Sequence, residues 1–269
     1  MEFVTCNLLG PGETNGKHNF GLCNQMFQIA TALSLAEDRG IKAIFPEVKK
    51  RKFGKYTKSI FKKLDTSSYK ESDIELDFHQ PDFGYCEIPD SKKIRLNGYF
   101  QSEKFFKHNR DLILDTFMPS KKTLEYIKNK YGNIIENSVS CHVRLEDYVY
   151  IEDHHTSLIK TNYYKNALSK YPERNILIFS DNILACKNSG IFDKYNAHYV
   201  SGEKDVIDLY LMSMCTDNII ANSSFSWWGA WLNNNLSKNV FYPDNWFGPE
   251  KSEYKTSDLI PDDWNEALT

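Results

Sequence analysis

From residue 138 onward the chain alternates between short runs rich in β-branched and aromatic residues and longer stretches of helical periodicity. The strand-like runs are Val139–Arg144, Ile176–Ser180, Ala197–Val200, Asn218–Ala221 and Asn239–Tyr242. Helical patterns lie between them at 161–171, 183–190, 204–215 and 225–236. Parallel neighbours need crossover connections of a dozen or more residues, and helices between strands supply them. The pattern therefore predicts an α/β domain with a mostly parallel sheet.

The first half opens in the same manner. Phe3–Leu8 reads as a strand, and residues 10–21 as a loop rich in Gly and Asn. Between Asn24 and Arg39, Met26, Phe27, Ala30, Leu33 and Leu35 recur near a 3.6-residue period, and Gly40 stands where a C-cap belongs. Ile41–Phe45 is a second strand, which completes a β-α-β unit with a right-handed crossover. Residues 65–93 are acidic and turn-rich and read as irregular; Ile94–Phe100 reads as a strand, with helices over 102–116 and 120–131. The link at Tyr131–Asn137 divides the chain into an N-terminal α/β domain, 1–135, and a C-terminal Rossmann-like domain, 136–269.

Composition excludes several classes of function. With 33 Lys and Arg against 36 Asp and Glu the net charge is −3, so the basic footprint of a duplex-binding protein is absent. No apolar run reaches the ~18 residues of a membrane span. The first residues lack the basic and apolar regions of a secretory signal, so a cytoplasmic location is expected. The six cysteines are scattered, without CxxC spacing, which predicts reduced thiols and neither a zinc ribbon nor a disulfide scaffold. Lys49, Lys50, Arg51, Lys52, Lys55, Lys58, Lys62 and Lys63 make residues 49–63 basic. That stretch is either a solvated face or a patch for peripheral association with the inner face of an anionic membrane. The sequence has no phosphate loop, HExxH, GxSxG or GxGxxG, and no Asp-x-Asp pair through which sugar transferases commonly hold a metal.

Parallel α/β sheets bind ligands beyond the carboxyl ends of their strands, so chemistry is sought there. His142 and Arg144 share one face of their strand, and a guanidinium at its mouth can fork two oxygens of a diphosphate or pair internally with Asp147. Asp181, at the end of the next strand, can accept both N–H groups of a guanine edge or cap the following helix. Asn222, Ser223, Ser224, Phe225 and Ser226 form a strand-to-helix turn, which is either an anion site or a plain N-cap. Trp227, Trp228 and Trp231 read as core wedges.

Four segments also resemble one family. Gly21-Leu-Cys-Asn-Gln-Met-Phe-Gln28 resembles the N-terminal GxGNQxFQ motif of the α-1,2-fucosyltransferases. Gly98-Tyr-Phe-Gln-Ser-Glu-Lys-Phe-Phe106 is similar to their GYxQSEKYF segment, and His142-Val-Arg-Leu-Glu-Asp-Tyr148 to HxRRGDY. Asn222-Ser-Ser-Phe-Ser-Trp-Trp-Gly-Ala-Trp-Leu-Asn233 resembles NSTFSWWGAWLN almost throughout. The chain departs from the family where Leu145 and Glu146 replace an arginine or glycine, and where Cys23 replaces a glycine.

The resemblance implies a GT-B fold, two Rossmann-like domains facing a cleft. It implies transfer of L-fucose from GDP-fucose to a glycan hydroxyl, the 2-OH of a galactoside, with inversion and without a metal or other cofactor. Carried over by position, Arg144 holds the diphosphate, His142 lies near the nucleotide, Asp181 reads guanine and Asn222–Ser226 cradle phosphate. Asn24, Gln25, Gln28 and Gln101 fall on the cleft or acceptor side. The proton of the attacking hydroxyl goes to Glu152 or Asp147, with Glu146 and His155 as further candidates. Bacterial surface polysaccharide is the expected destination. Two other readings stand beside this one: the same chemistry with another nucleotide sugar, and a non-catalytic carbohydrate- or nucleotide-binding module.

Overall fold

The computed structural model describes residues 1–8, 21–49, 54–145, 153–254 and 256–269. The chain divides into two compact units, one comprising Met1–Pro119 with Tyr254–Pro261, the other Ser120–Glu253 with Asp262–Thr269. The division between compact units falls before the helix over 121–135, which packs inside the second unit.

The first unit is built on a four-stranded parallel sheet of order β2-β1-β4-β3. Its strands are β1 (Phe3–Cys6), β2 (Lys42–Ala43), β3 (Leu76–His79) and β4 (Lys93–Asn97). β1 is buried along its whole length, as a central parallel strand covered on both faces should be. α1 (Leu22–Arg39) buries Met26, Phe27, Ile29 and Ala30 and ends at Gly40, whose left-handed φ of 62° lets its N–H reach back to Ala36 and Glu37 carbonyls. α2 (Arg110–Phe117) adds Ile113 and Phe117 to the core. β3 lies in the stretch expected to be irregular. It is an edge strand, paired on one side, with an alternating burial pattern. The C-terminal return segment docks on this unit. Tyr254 stacks on Phe83 with ring centroids 5.3 Å apart, and Asp258 accepts the Tyr85 N–H at 3.0 Å and pairs with Lys104.

Within the basic stretch, Lys63 pairs with Asp115 at 2.7 Å and Lys49 donates to the Thr66 carbonyl at 3.3 Å. Part of its charge is therefore neutralised internally; residues 50–53 lie outside the described residues. Among the described residues no helix is long and apolar enough to cross a membrane.

The second unit carries a six-stranded parallel sheet of order β10-β9-β8-β5-β6-β7. Its strands are β5 (Ser138–Val143), β6 (Asn175–Ser180), β7 (Asn196–Tyr199), β8 (Asp217–Ile219), β9 (Val240–Pro243) and β10 (Asn265–Ala267). The helices are α3 (Lys121–Ile135), α4 (Tyr163–Leu168), α5 (Ile183–Asn188), α6 (Asp205–Met214) and α7 (Ser224–Trp231). Tyr126, Lys130 and Tyr131 of α3 converge on Glu203, just before α6, which is why α3 belongs here. Trp227, Trp228 and Trp231 are core wedges as expected, each at most 2 % exposed. α7 lies so close to α6 that a β-carbon at Gly229 would stand 3.0 Å from Met212 Cβ. All six cysteines are free thiols, five of them buried.

The chain runs β5→β6→β7 towards one edge. It then crosses back to β8 on the other side of β5 and continues outward to β9 and β10. The direction of winding therefore reverses between β5 and β8. In an open parallel sheet that reversal opens a crevice at the strands' carboxyl ends, where ligands bind.

Candidate functional site

The reversal brings three of the sequence-identified segments to adjacent strand ends. Arg144 follows the last residue of β5, and Asp181 follows the last residue of β6, which is paired with β5 through Val143 and Ser180. The turn Asn222–Ser226 follows β8 and enters α7.

Arg144 Nη1 lies 3.0 Å from Asp181 Oδ2, with the arginine side chain 33 % and the aspartate 14 % exposed. The other oxygen of Asp181 accepts the Leu145 N–H at 2.9 Å. Asp181 is therefore tied to the β5 exit. The cap of α5 is its neighbour Asn182, whose side chain accepts the Ala185 N–H at 3.0 Å, so the capping role considered for Asp181 is not the one it plays. Leu145, where the family motif carries a second arginine or a glycine, is buried in the core of the second unit, 4 % exposed.

His142 is 5 % exposed, and its Nδ1 lies 2.9 Å from Ser226 Oγ. Burial, helped by the Arg144 charge, pushes its pKa down to about 3, so the imidazole is neutral at ordinary pH. Tyr164 donates to the His142 carbonyl at 2.9 Å, and the Phe225 ring packs 5.6 Å from the imidazole.

The turn residues divide by role. Ser223 is the N-cap of α7, its hydroxyl accepting the Phe225 N–H at 3.3 Å. Ser223, Ser224 and Phe225 are partly exposed, whereas Asn222 and Ser226 are buried. Asn222 clamps neighbouring loops by donating to the Thr156 and Trp246 carbonyls at 3.0 and 2.9 Å. The surface open to an anion is thus the capped start of α7. Asn222 and Ser226 support it from inside.

In the first unit, winding also reverses, between β1 and β4. There Gln28, 1 % exposed, donates to the carbonyls of Asn7 and Gly98 at 3.1 and 2.8 Å. Gln101 donates to Asn24 at 2.9 Å, which brings the first two motifs together. Gln25 is buried on α1. Gln28 and Gln25 serve the interior of this unit; Asn24 is partly exposed at the strand ends.

Glu146, Asp147 and Glu152 lie outside the described residues. His155 is described: it forms an antiparallel bridge with Phe247, their rings 5.7 Å apart. Two participants escaped the sequence reading. Tyr164 carries no motif signal, and the Arg144–Asp181 pair joins positions that only strand register makes neighbours.

The family model described as glycosyl transferase family 11 matches residues 12–266. The O-antigen biosynthesis glycosyltransferase WbnK of Escherichia coli is 34 % identical over 199 residues, 67 % of this chain and 60 % of that protein. An alpha-1,2-colitosyltransferase of Escherichia coli is 33 % identical over 180 residues, 62 % of this chain and 60 % of that protein. The chain thus spans 60 % of the length of each of these curated relatives. Among solved structures, the α-1,6-fucosyltransferase NodZ, known from Bradyrhizobium and soaked with GDP-fucose, superposes with a TM-score of 0.54 at 14 % identity. That match covers 86 % of this chain and 92 % of NodZ. A mutant of Arabidopsis thaliana FUT1 in complex with GDP gives a TM-score of 0.51 at 12 % identity, covering 97 % of this chain and 75 % of that one. Both likenesses are of fold, and the fold is α/β of the GT-B class.

Proposed function

Because the chain belongs to glycosyl transferase family 11, we propose that it transfers L-fucose from GDP-fucose to the 2-OH of a galactoside, with inversion and without a metal. The observation that carries this reading is the winding reversal between β5 and β8, with Arg144 at one strand end and the serine-capped start of α7 at the other. A guanidinium and a helix N-terminus facing one crevice suit a diphosphate.

The acceptor oxygen attacks the anomeric carbon as the bond to the diphosphate breaks. The electron pair leaves with GDP, and the hydroxyl proton passes to a base, for which Glu152 and then Asp147 are the proposed groups. Negative charge grows on the departing diphosphate, so fixed positive charge at Arg144 lowers the barrier. Arg144 supplies that charge from the protein, and turnover should accordingly survive excess EDTA. Loss of turnover in chelator that Mg²⁺ or Mn²⁺ restores would overturn this part of the reading.

Asp181 has two roles to choose between. Its oxygens already engage Arg144 and the Leu145 N–H, which supports a role in orienting Arg144 ahead of a direct contact with guanine. Asp181→Asn is therefore expected to weaken GDP and UDP to a similar degree, while the wild type binds GDP more tightly than UDP, CDP or ADP. Calorimetry with each nucleotide checks both statements. A selective loss of GDP affinity in the variant would assign Asp181 to guanine. Equal wild-type affinity for GDP and UDP would remove the guanine nucleotide from the proposal. A second reading, the same chemistry with a colitosyl donor, is favoured by the 33 % identical colitosyltransferase. A panel of nucleotide sugars offered to the purified protein separates the two.

A further inference from the structure

We propose that Ser226 is a positioning residue for the nucleotide-sugar site: its hydroxyl donates to His142 Nδ1 and holds the imidazole as the Nε2–H tautomer, a neutral hydrogen-bond donor for an oxygen of the departing diphosphate.

The assignment follows from counting one hydroxyl proton against four neighbours. Ser226 Oγ lies 2.9 Å from His142 Nδ1 and 3.1 Å from the Ala221 nitrogen, and 3.4 Å from each of the Ala221 and Ser223 carbonyl oxygens. The Ala221 N–H donates, so the oxygen accepts there. If Nδ1 carried the imidazole hydrogen, Oγ would accept twice, and its own proton would be left with a carbonyl at 3.4 Å. That is well beyond the ~2.5–3.0 Å of an O–H···O bond. With Nδ1 as acceptor, the hydroxyl makes two bonds of ordinary length and no long one. The hydrogen of the neutral ring then resides on Nε2.

Burial keeps the ring neutral, so the tautomer alone decides whether its far edge donates or accepts. An accepting Nε2 would repel a phosphate oxygen; a donating one bonds it. His142 and Arg144 are two residues apart on an extended segment and share a face, and α7 packs on that face through Ser226 and Phe225. The Tyr164 hydroxyl, donating to the His142 carbonyl, fixes the strand backbone from which the ring projects. One serine thus joins β5, the β8 exit and α7 across the winding reversal, and sets the polarity of a group facing the ligand. The ligand half of this inference rests on the donor-site reading above; the tautomer half does not.

Long-range ¹H–¹⁵N spectra of protein labelled at histidine nitrogen test it, with His142 identified by the signals that vanish in His142→Gln. The expected spectrum has unprotonated Nδ1 and protonated Nε2; the opposite pattern overturns the proposal. Calorimetry with GDP then compares wild type, Ser226→Ala and Ser226→Thr. Ser226→Ala should weaken GDP roughly tenfold, the factor one hydrogen bond of ordinary net strength carries. Ser226→Thr, which keeps the hydroxyl, should recover the wild-type tautomer and most of the affinity. Wild-type affinity in Ser226→Ala would overturn the positioning role. If Ser226→Ala does not fold, the wild-type spectrum and the threonine variant decide the case. If wild type binds no GDP, the donor-site reading falls together with the ligand role of Nε2, and the spectrum still decides the tautomer.

Discussion

Replacing Arg144 with lysine should lower turnover about 100–1000-fold, equivalent to ~3–4 kcal/mol of transition-state stabilisation, with little loss of fold. The ammonium keeps a positive charge opposite Asp181 but offers no planar fork to a diphosphate. The side chain is one-third exposed and its partner is partly exposed. The pair therefore contributes about 1 kcal/mol to stability after screening. Arg144→Ala removes the charge as well and should melt roughly 2–4 °C below wild type. Melting curves and turnover on wild type and both variants check this. A large fall in melting temperature in Arg144→Lys, with activity following the folded fraction, would show that the arginine is there for the protein and not for the ligand.

Gly98→Ala should destabilise the first unit by about 2–4 kcal/mol. A β-carbon there would stand 2.5 Å from Gln80 Cβ, an atom that cannot swing aside, and the glycine has a φ of +156°. Gln80 cannot yield cheaply either. Its side chain accepts the Phe100 N–H at 2.8 Å and donates to the Gly84 carbonyl at 2.9 Å, which joins the loops after β3 and β4. Phe100 itself has a φ of 51°, so this turn already holds a side chain where few residues sit. Urea unfolding of wild type and variant measures the difference; equal midpoints would mean that the loop relaxes at no cost.

The second sheet was legible because its central strands are buried on both faces and therefore read as apolar runs. All five strand-like runs of residues 138–243 correspond to β5–β9, with ends shifted by one or two residues. Two strands that lack that signal went unread. β10 contains Asn265, Glu266 and Ala267, and its place is set by pairing with β9 rather than by any pattern of its own. β3 hid in an acidic stretch for a similar reason: an edge strand needs one apolar face at most. The division of compact units before α3 was not legible, because Tyr126 and Tyr131 look like ordinary helix residues until Glu203, more than seventy positions later, meets them. At the site, motifs located the residues without distinguishing contact from support. Ser223 and Ser226 are both small hydroxyl residues in one turn. Only the fold turns one outward as a cap and the other inward to His142.

The return of Tyr254–Pro261 to the first unit bears on how this protein can be taken apart. A truncation at Pro119 would leave Phe83 without its stacked tyrosine and Lys104 and the Tyr85 N–H without Asp258. The first unit is therefore not a cassette that one cut can release. Chimeras that exchange it between relatives must carry the late segment along with the first 119 residues, or they will join a sheet from one parent to a clasp shaped for another.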